Sequence, residues 1–81
     1  MTVTIKFWSY FRDHTHCEST EIELPDSATL GEAHLAVLTQ FPALAAMKNS
    51  TLKAVGVDYQ DDDFVLSNGD EVSLFPPVQG G

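Results

Sequence analysis

A single helical segment stands between two groups of strand-like segments, and this order limits the chain to a small set of folds. Thr2 to Phe7 places apolar residues at every second position, as a half-buried strand does. Thr20 to Leu24 alternates in the same way, with glutamates between its other residues. The two segments predict a β-hairpin, separated by an irregular stretch from Ser9 to Cys17.

The helical segment is marked at both ends. Thr29 and Glu32 have the spacing of a capping box, in which each side chain satisfies a free backbone N–H at the start of a helix. Pro42 lacks the amide hydrogen that a helix interior uses. We therefore predict a helix from Leu30 to Gln40, followed by a short helical turn from Ala43 to Met47.

The remaining segments predict a return to strands. Leu52 to Val57 is a third strand, and Asp58 to Asp63 is too polar to pack. Phe64 to Leu66 is expected in the core, Ser67 to Asp70 is a turn, and Glu71 to Phe75 is the last strand. The predicted fold is α+β, with a mixed sheet of four to five strands covered on one face by one main helix.

Size and charge narrow the possible functions. A chain of 81 residues has room for one modest core but not for a deep pocket of its own, which counts against an enzyme that acts alone. Twelve acidic and four basic residues give a net charge of −8. This charge disfavours nucleic acid and anionic membranes as partners and favours a basic protein surface. Simple solubility is an equally good explanation of the charge.

The expected location is the cytoplasm. Cys17 is the single cysteine and cannot form an intramolecular disulfide. The first residues alternate in polarity, whereas a signal peptide has an apolar run. No apolar run is long enough to cross a bilayer.

Other groups of polar and aromatic residues are interpreted as structural. The segment from His14 to Cys17 has no common zinc spacing, and Asp61 to Asp63 lacks the rest of a calcium-binding loop, so no metal site is predicted. His34 falls on the apolar stripe of the helix and is expected to be partly buried. Trp8, Tyr10 and Phe11 are too clustered for all to be core, and at least one is expected to be exposed towards a partner.

The end of the sequence differs from the rest. Pro76 and Pro77 cannot donate hydrogen bonds to a sheet, so the domain is predicted to cover residues 1–75 and an extended tail residues 76–81. Such a tail reaches about 20 Å at roughly 3.3 Å per residue. Gly80 and Gly81 have no side chains to obstruct a narrow channel. The tail is therefore suited to enter another protein's active site.

The carboxylate of Gly81 is the chemical handle that this tail offers. ATP can convert it to an acyl-adenylate, and a sulfur donor can then displace AMP to leave a thiocarboxylate. The sequence has no phosphate-binding loop with its lysine, so the activating enzyme must be a partner. A Gly-Gly ending alone is weak evidence, because inert flexible termini are also rich in glycine.

The segment from Asn68 to Gly81, NGDEVSLFPPVQGG, resembles the C-terminus of the small subunits of molybdopterin synthase, sulfur carriers of the ubiquitin-like MoaD and ThiS family. Weaker similarities are the aromatic stretch from Phe7 to Phe11 with Arg12, the strand near Val57, and the length. The resemblance implies a β-grasp fold with the N-terminal hairpin and the last strand at its centre.

The resemblance also implies roles for the tail residues. Gly81 is the reacting residue, which an ATP-dependent enzyme of the ubiquitin-activating type adenylates and converts to a thiocarboxylate. Gly80 and Gln79 thread the tail into the partner. The surface that docks on the large catalytic subunit is formed by Phe75, Pro76, Pro77 and Val78. The chain is not catalytic alone and binds no cofactor.

Other destinations of the sulfur stay open at this point. The same tail chemistry serves sulfur carriers for thiamin, cysteine or tRNA thiolation. It also serves ubiquitin-like modifiers, in which Gly81 would form isopeptide bonds with lysines. An interaction domain with an inert tail is the remaining alternative.

Overall fold

The fold is described from a computed structural model, and the description covers residues 1–77. Five strands and two α-helices are present in this part of the chain, together with one long 3₁₀ helix. The elements in chain order are β1 (Thr2–Phe7), α1 (Phe11–Thr15), β2 (Ser19–Glu23), α2 (Leu30–Gln40), the 3₁₀ helix (Pro42–Ser50), β3 (Leu52–Val55), β4 (Asp58–Tyr59) and β5 (Glu71–Phe75).

The strands form one mixed sheet in the order β2-β1-β5-β3-β4. β1 and β5 are parallel neighbours at the centre, with Ile5 opposite Val72 and Phe7 opposite Leu74. The pairs β1 with β2, β3 with β5 and β3 with β4 are antiparallel. The predicted α+β class, the hairpin and the central position of the last strand are confirmed, but β2 lies at an edge of the sheet.

The core lies between one face of the sheet and α2. The strands contribute their alternate residues, among them Val3, Ile5 and Phe7, which are at most 2% exposed. Leu30, Ala33 and Val37 of α2 are fully buried against them. The alternation seen in the sequence is therefore the alternation between the core face and the opposite face of the sheet.

Helix α2 begins and ends where the sequence predicts. The Thr29 hydroxyl accepts a hydrogen bond from the Glu32 N–H at 3.2 Å, and the Glu32 carboxylate accepts one from the Thr29 N–H at 3.2 Å. The predicted short turn after Pro42 is a longer element, because the 3₁₀ helix continues to Ser50. Within residues 1–77, no helix is both long and apolar enough to span a lipid bilayer.

Two segments differ from the sequence prediction. The stretch expected to be irregular contains α1, which begins at the fully buried Phe11 and ends where His16 adopts a left-handed φ of 60°. The polar segment after Val57 was expected to form no element, but Asp58 and Tyr59 form β4. The turn at Gly56, with a φ of 62°, returns the chain onto β3.

Candidate functional site

The face of the sheet opposite α2 has no element packed on it in the part of the chain that the structure describes. Because side chains alternate along a strand, the residues between the core positions of β1 and β5 point to this open face. Lys6 and Glu71 lie here, with 3.8 Å between the Lys6 Nζ and a Glu71 carboxylate oxygen. The open face is therefore the surface available beside the end of β5.

Four large apolar side chains gather where β5 ends, and we call them the apolar patch: Trp8, Leu52, Tyr59 and Phe75. Trp8 and Phe75 stack with 5.6 Å between ring centroids and an interplanar angle of 17°. Tyr59 meets Phe75 edge to face at 6.1 Å. Leu52 is the antiparallel neighbour of Phe75 in the sheet.

The patch faces solvent to an unusual degree for side chains of this size. Trp8 and Leu52 are each 42% exposed and Tyr59 is 67% exposed, while Phe75 is half-buried. Exposed aromatic and aliphatic side chains in contact with one another are typical of a surface that binds another protein. The patch is the strongest candidate for a binding surface in residues 1–77.

The patch lies at the point where the chain leaves the sheet. β5 ends at Phe75, and Pro76 and Pro77 continue as half-buried residues without regular secondary structure. Of the predicted docking residues, the structure thus places Phe75 in the patch and the two prolines directly after it. The predicted tail residues Val78, Gln79, Gly80 and Gly81 lie outside the described residues.

Two members of the patch are not predicted from the sequence. The sequence predicts only a strand for Leu52 and a polar loop for Tyr59. Trp8 was included in an aromatic cluster with an expected exposed member, and this expectation is confirmed because Trp8 is exposed while Phe11 is fully buried. The one sequence feature that marks Tyr59 is that it is a single aromatic residue in an acidic segment, where an aromatic side chain is exposed unless it packs on the sheet.

Three of the four basic side chains form ion pairs with carboxylates of residues 1–77. In addition to the pair on the open face, Arg12 lies 3.7 Å from Glu18 and Lys53 lies 2.8 Å from Asp62. An open groove of about 580 Å³ beside the patch is lined by Tyr59, Asp61 and the paired Lys53 and Asp62, among others. Because the pair is neutral overall, Asp61 leaves a negative charge in this groove, which favours a partner with a basic surface.

His34 is on the other side of the sheet, in α2, and is 3% exposed. Burial, helped by the positive charge of Lys53, lowers its pKa from 6.5 to about 4, so the imidazole is neutral at neutral pH. The hydrogen bond from Lys53 also lowers the pKa of Asp62. The predicted buried position of His34 is confirmed. Because α2 packs on the opposite face of the sheet, His34 is not part of the patch.

The groups considered for metal binding do not form a site in the described residues. Among residues 1–77, no three His, Cys, Asp or Glu side chains are grouped closely enough to hold a metal ion. Asp62 is instead paired with Lys53, and Cys17 is half-buried beside the core.

The family comparison agrees with the fold. The model of the ThiS family matches residues 5–81. The molybdopterin synthase sulfur carrier subunit of Escherichia coli (strain K12) is 32% identical, and the match covers 98% of this chain and 99% of that protein.

Solved structures give the same result. SAMP1 from Haloferax volcanii matches with a TM-score of 0.90 over the full length of both chains, at 21% identity, and so supports the fold alone. One chain in a complex of subunits 1 and 2 of molybdopterin-converting factor from Helicobacter pylori matches over the full length of both chains, with a TM-score of 0.71 and 27% identity. The fold is the ubiquitin-like β-grasp. The chain therefore belongs to the ThiS family, within the ThiS and MoaD group of ubiquitin-like sulfur carriers.

Proposed function

We propose that this chain is the sulfur-donating small subunit of a molybdopterin synthase. In this role the Gly81 carboxylate becomes a thiocarboxylate, whose sulfur is transferred to cyclic pyranopterin monophosphate to build the dithiolene of molybdopterin. The full-length match to the Escherichia coli sulfur carrier subunit supports this choice among the possible destinations of the sulfur.

The observation that carries the proposal is the position at which β5 ends. β5 is paired with β1 as far as Leu74, and its last residue, Phe75, is paired with Leu52 of β3, so the end of the strand is held in the sheet. Phe75 is also part of the exposed apolar patch. The tail therefore starts at the docking surface itself. A carrier that delivers its terminus into a partner requires this arrangement.

The chemistry needs two displacements at the tail. A Gly81 carboxylate oxygen attacks the α-phosphorus of ATP, which forms the acyl-adenylate and releases pyrophosphate. A sulfide-level sulfur then attacks the acyl carbon, a C–S bond forms, and AMP leaves with the electron pair of the broken C–O bond. The resulting thiocarboxylate is a soft nucleophile at the end of a narrow chain.

Two partners follow from this chemistry. An ATP-dependent enzyme of the ubiquitin-activating type supplies the adenylation and the sulfur, and a large catalytic subunit accepts the sulfur. Both partners must bind the carrier with the tail in their active sites, so both are expected to use the apolar patch. The acidic surroundings of the patch would favour a basic rim on each partner.

Reconstitution tests the proposal. The purified chain is mixed with the activating enzyme and the large subunit from the same genome, together with ATP, a sulfur source and cyclic pyranopterin monophosphate. We expect molybdopterin to form, and we expect none with a variant that lacks Gly81. If the thiocarboxylate forms but no molybdopterin does, the proposed destination of the sulfur is wrong.

A further inference from the structure

The main chain of Trp8 is fixed on both sides. Its N–H donates a hydrogen bond to the Leu74 carbonyl at 3.2 Å, and its own carbonyl accepts one from the Phe11 N–H at 3.2 Å. The next residue, Ser9, has a left-handed φ of 56°. These constraints hold the indole beside the end of β5.

The indole in turn holds Phe75. The two rings are nearly parallel, with an interplanar angle of 17° and centroids 5.6 Å apart. Tyr59 contacts Phe75 edge to face, so two side chains from distant parts of the sequence fix the ring. The Lys6 ammonium lies 5.7 Å from the centroid of the Trp8 ring and adds a further contact.

The direction of the chain at Phe75 sets the direction in which the tail leaves the sheet. Pro76 and Pro77 make the start of the tail stiff, so a rotation at Phe75 is passed on along it. For the two prolines alone, about 7 Å long at roughly 3.3 Å per residue, a rotation of about 10° moves the end of the pair by about 1 Å. A displacement of only about 1 Å can slow an enzymatic reaction about a hundredfold.

We infer that Trp8 is a positioning residue, which directs the tail by holding the Phe75 ring and the end of β5. The inference depends on the proposed function, since it concerns the delivery of Gly81 to the activating enzyme. Trp8 is 42% exposed, so more than half of its surface is already covered by its own chain. The covered part of the indole includes the face that stacks on Phe75.

Steady-state kinetics separates positioning from docking. Pyrophosphate release by the activating enzyme is measured at saturating ATP while the concentration of the carrier is varied. We expect Trp8→Ala to lower kcat at least about tenfold, in addition to any rise in KM from the smaller apolar patch, because misdirection affects the bound complex. Trp8→Phe keeps a flat ring against Phe75 and should recover most of the kcat that Trp8→Ala loses.

A second measurement uses the free protein. The ¹⁵N order parameter of the Phe75 amide is expected to fall from about 0.85 towards about 0.6 in Trp8→Ala and to remain high in Trp8→Phe. Trp8→Leu keeps an apolar side chain without a flat ring. It replaces Trp8→Ala in both measurements if Trp8→Ala does not fold. Leu35→Ala is the matched control, since it shortens an exposed apolar side chain of α2, far from the patch.

A rise in KM with unchanged kcat in both Trp8→Ala and Trp8→Leu would overturn the inference and assign Trp8 to docking. An unchanged order parameter of Phe75 would also overturn it. Failure of the proposed function looks different, because the wild-type protein itself would then yield no molybdopterin in the reconstitution, whether or not it releases pyrophosphate with its activating enzyme.

Discussion

His34 shows how a single residue couples this fold to pH. Its imidazole is buried in α2, and its charged neighbours are Lys53 of β3, Lys48 of the 3₁₀ helix and Asp62 of the loop after β4. Burial favours the neutral form, and the two lysines add to this effect while Asp62 opposes it. The buried imidazole therefore fits the folded state at neutral pH, and its protonation in acid opposes folding.

Acidification should therefore weaken the fold through His34. The pKa is lowered to about 4 in the folded state, so the unfolded chain binds the proton first. Stability from this group is complete above pH 6.5 and is lost as the pH falls from 6.5 towards 4. Between pH 7 and pH 5 we expect a loss of about 2 kcal/mol in the free energy of unfolding.

Urea denaturation at the two pH values measures this loss. His34→Gln has no titrating imidazole at this position. Its free energy of unfolding should therefore fall by about 2 kcal/mol less than that of the wild type between the two pH values. His14→Gln is the control, because His14 is exposed, and it should behave as the wild type does. Equal pH dependence of His34→Gln and the wild type would refute the assigned role.

At the scale of elements, α2 shows what local sequence determines. Its capping box was predicted from Thr29 and Glu32, and both hydrogen bonds are present. The signal was sufficient because both partners lie within one helical turn. Helix α1 and β4 were missed for the opposite reason. With five and two residues they have too little periodicity, and they depend on contacts with distant residues.

Removal of the cap should destabilise the whole domain. Thr29→Ala leaves the Glu32 N–H without its side-chain acceptor, and we expect the free energy of unfolding to fall by about 1 kcal/mol. Thr39→Ala is the matched control, because the Thr39 hydroxyl donates to the Leu35 carbonyl within the same helix and caps no helix end. Chemical denaturation at neutral pH compares the two, and equal losses would contradict the role of the cap.

At the scale of the whole molecule, the apolar patch is a product of topology. Trp8, Leu52, Tyr59 and Phe75 come from three strands and one loop, and only the sheet register brings them together. The sequence predicted the tail and Phe75 because the motif is continuous in the chain. It could not predict Leu52 or Tyr59, since neither has a local pattern that identifies its neighbour across the sheet.

The patch predicts the effect of a substitution on complex formation. Tyr59→Ala removes an aromatic side chain that is 67% exposed, and we expect the Kd for the large subunit to rise about tenfold, or about 1.4 kcal/mol. Isothermal titration calorimetry measures the change. Leu35→Ala, on the helical side of the domain, should leave the Kd unchanged. A similar rise for both variants would argue against the patch as the docking surface.

If Gly81 carries the sulfur, the intact mass of the protein records it. The protein is purified from cells that contain its activating enzyme and a sulfur source. We expect a species heavier by the difference between sulfur and oxygen, located at Gly81 by fragmentation and absent from a variant without Gly81. A protein that shows only the unmodified carboxylate in such cells would mean that Gly81 does not carry sulfur.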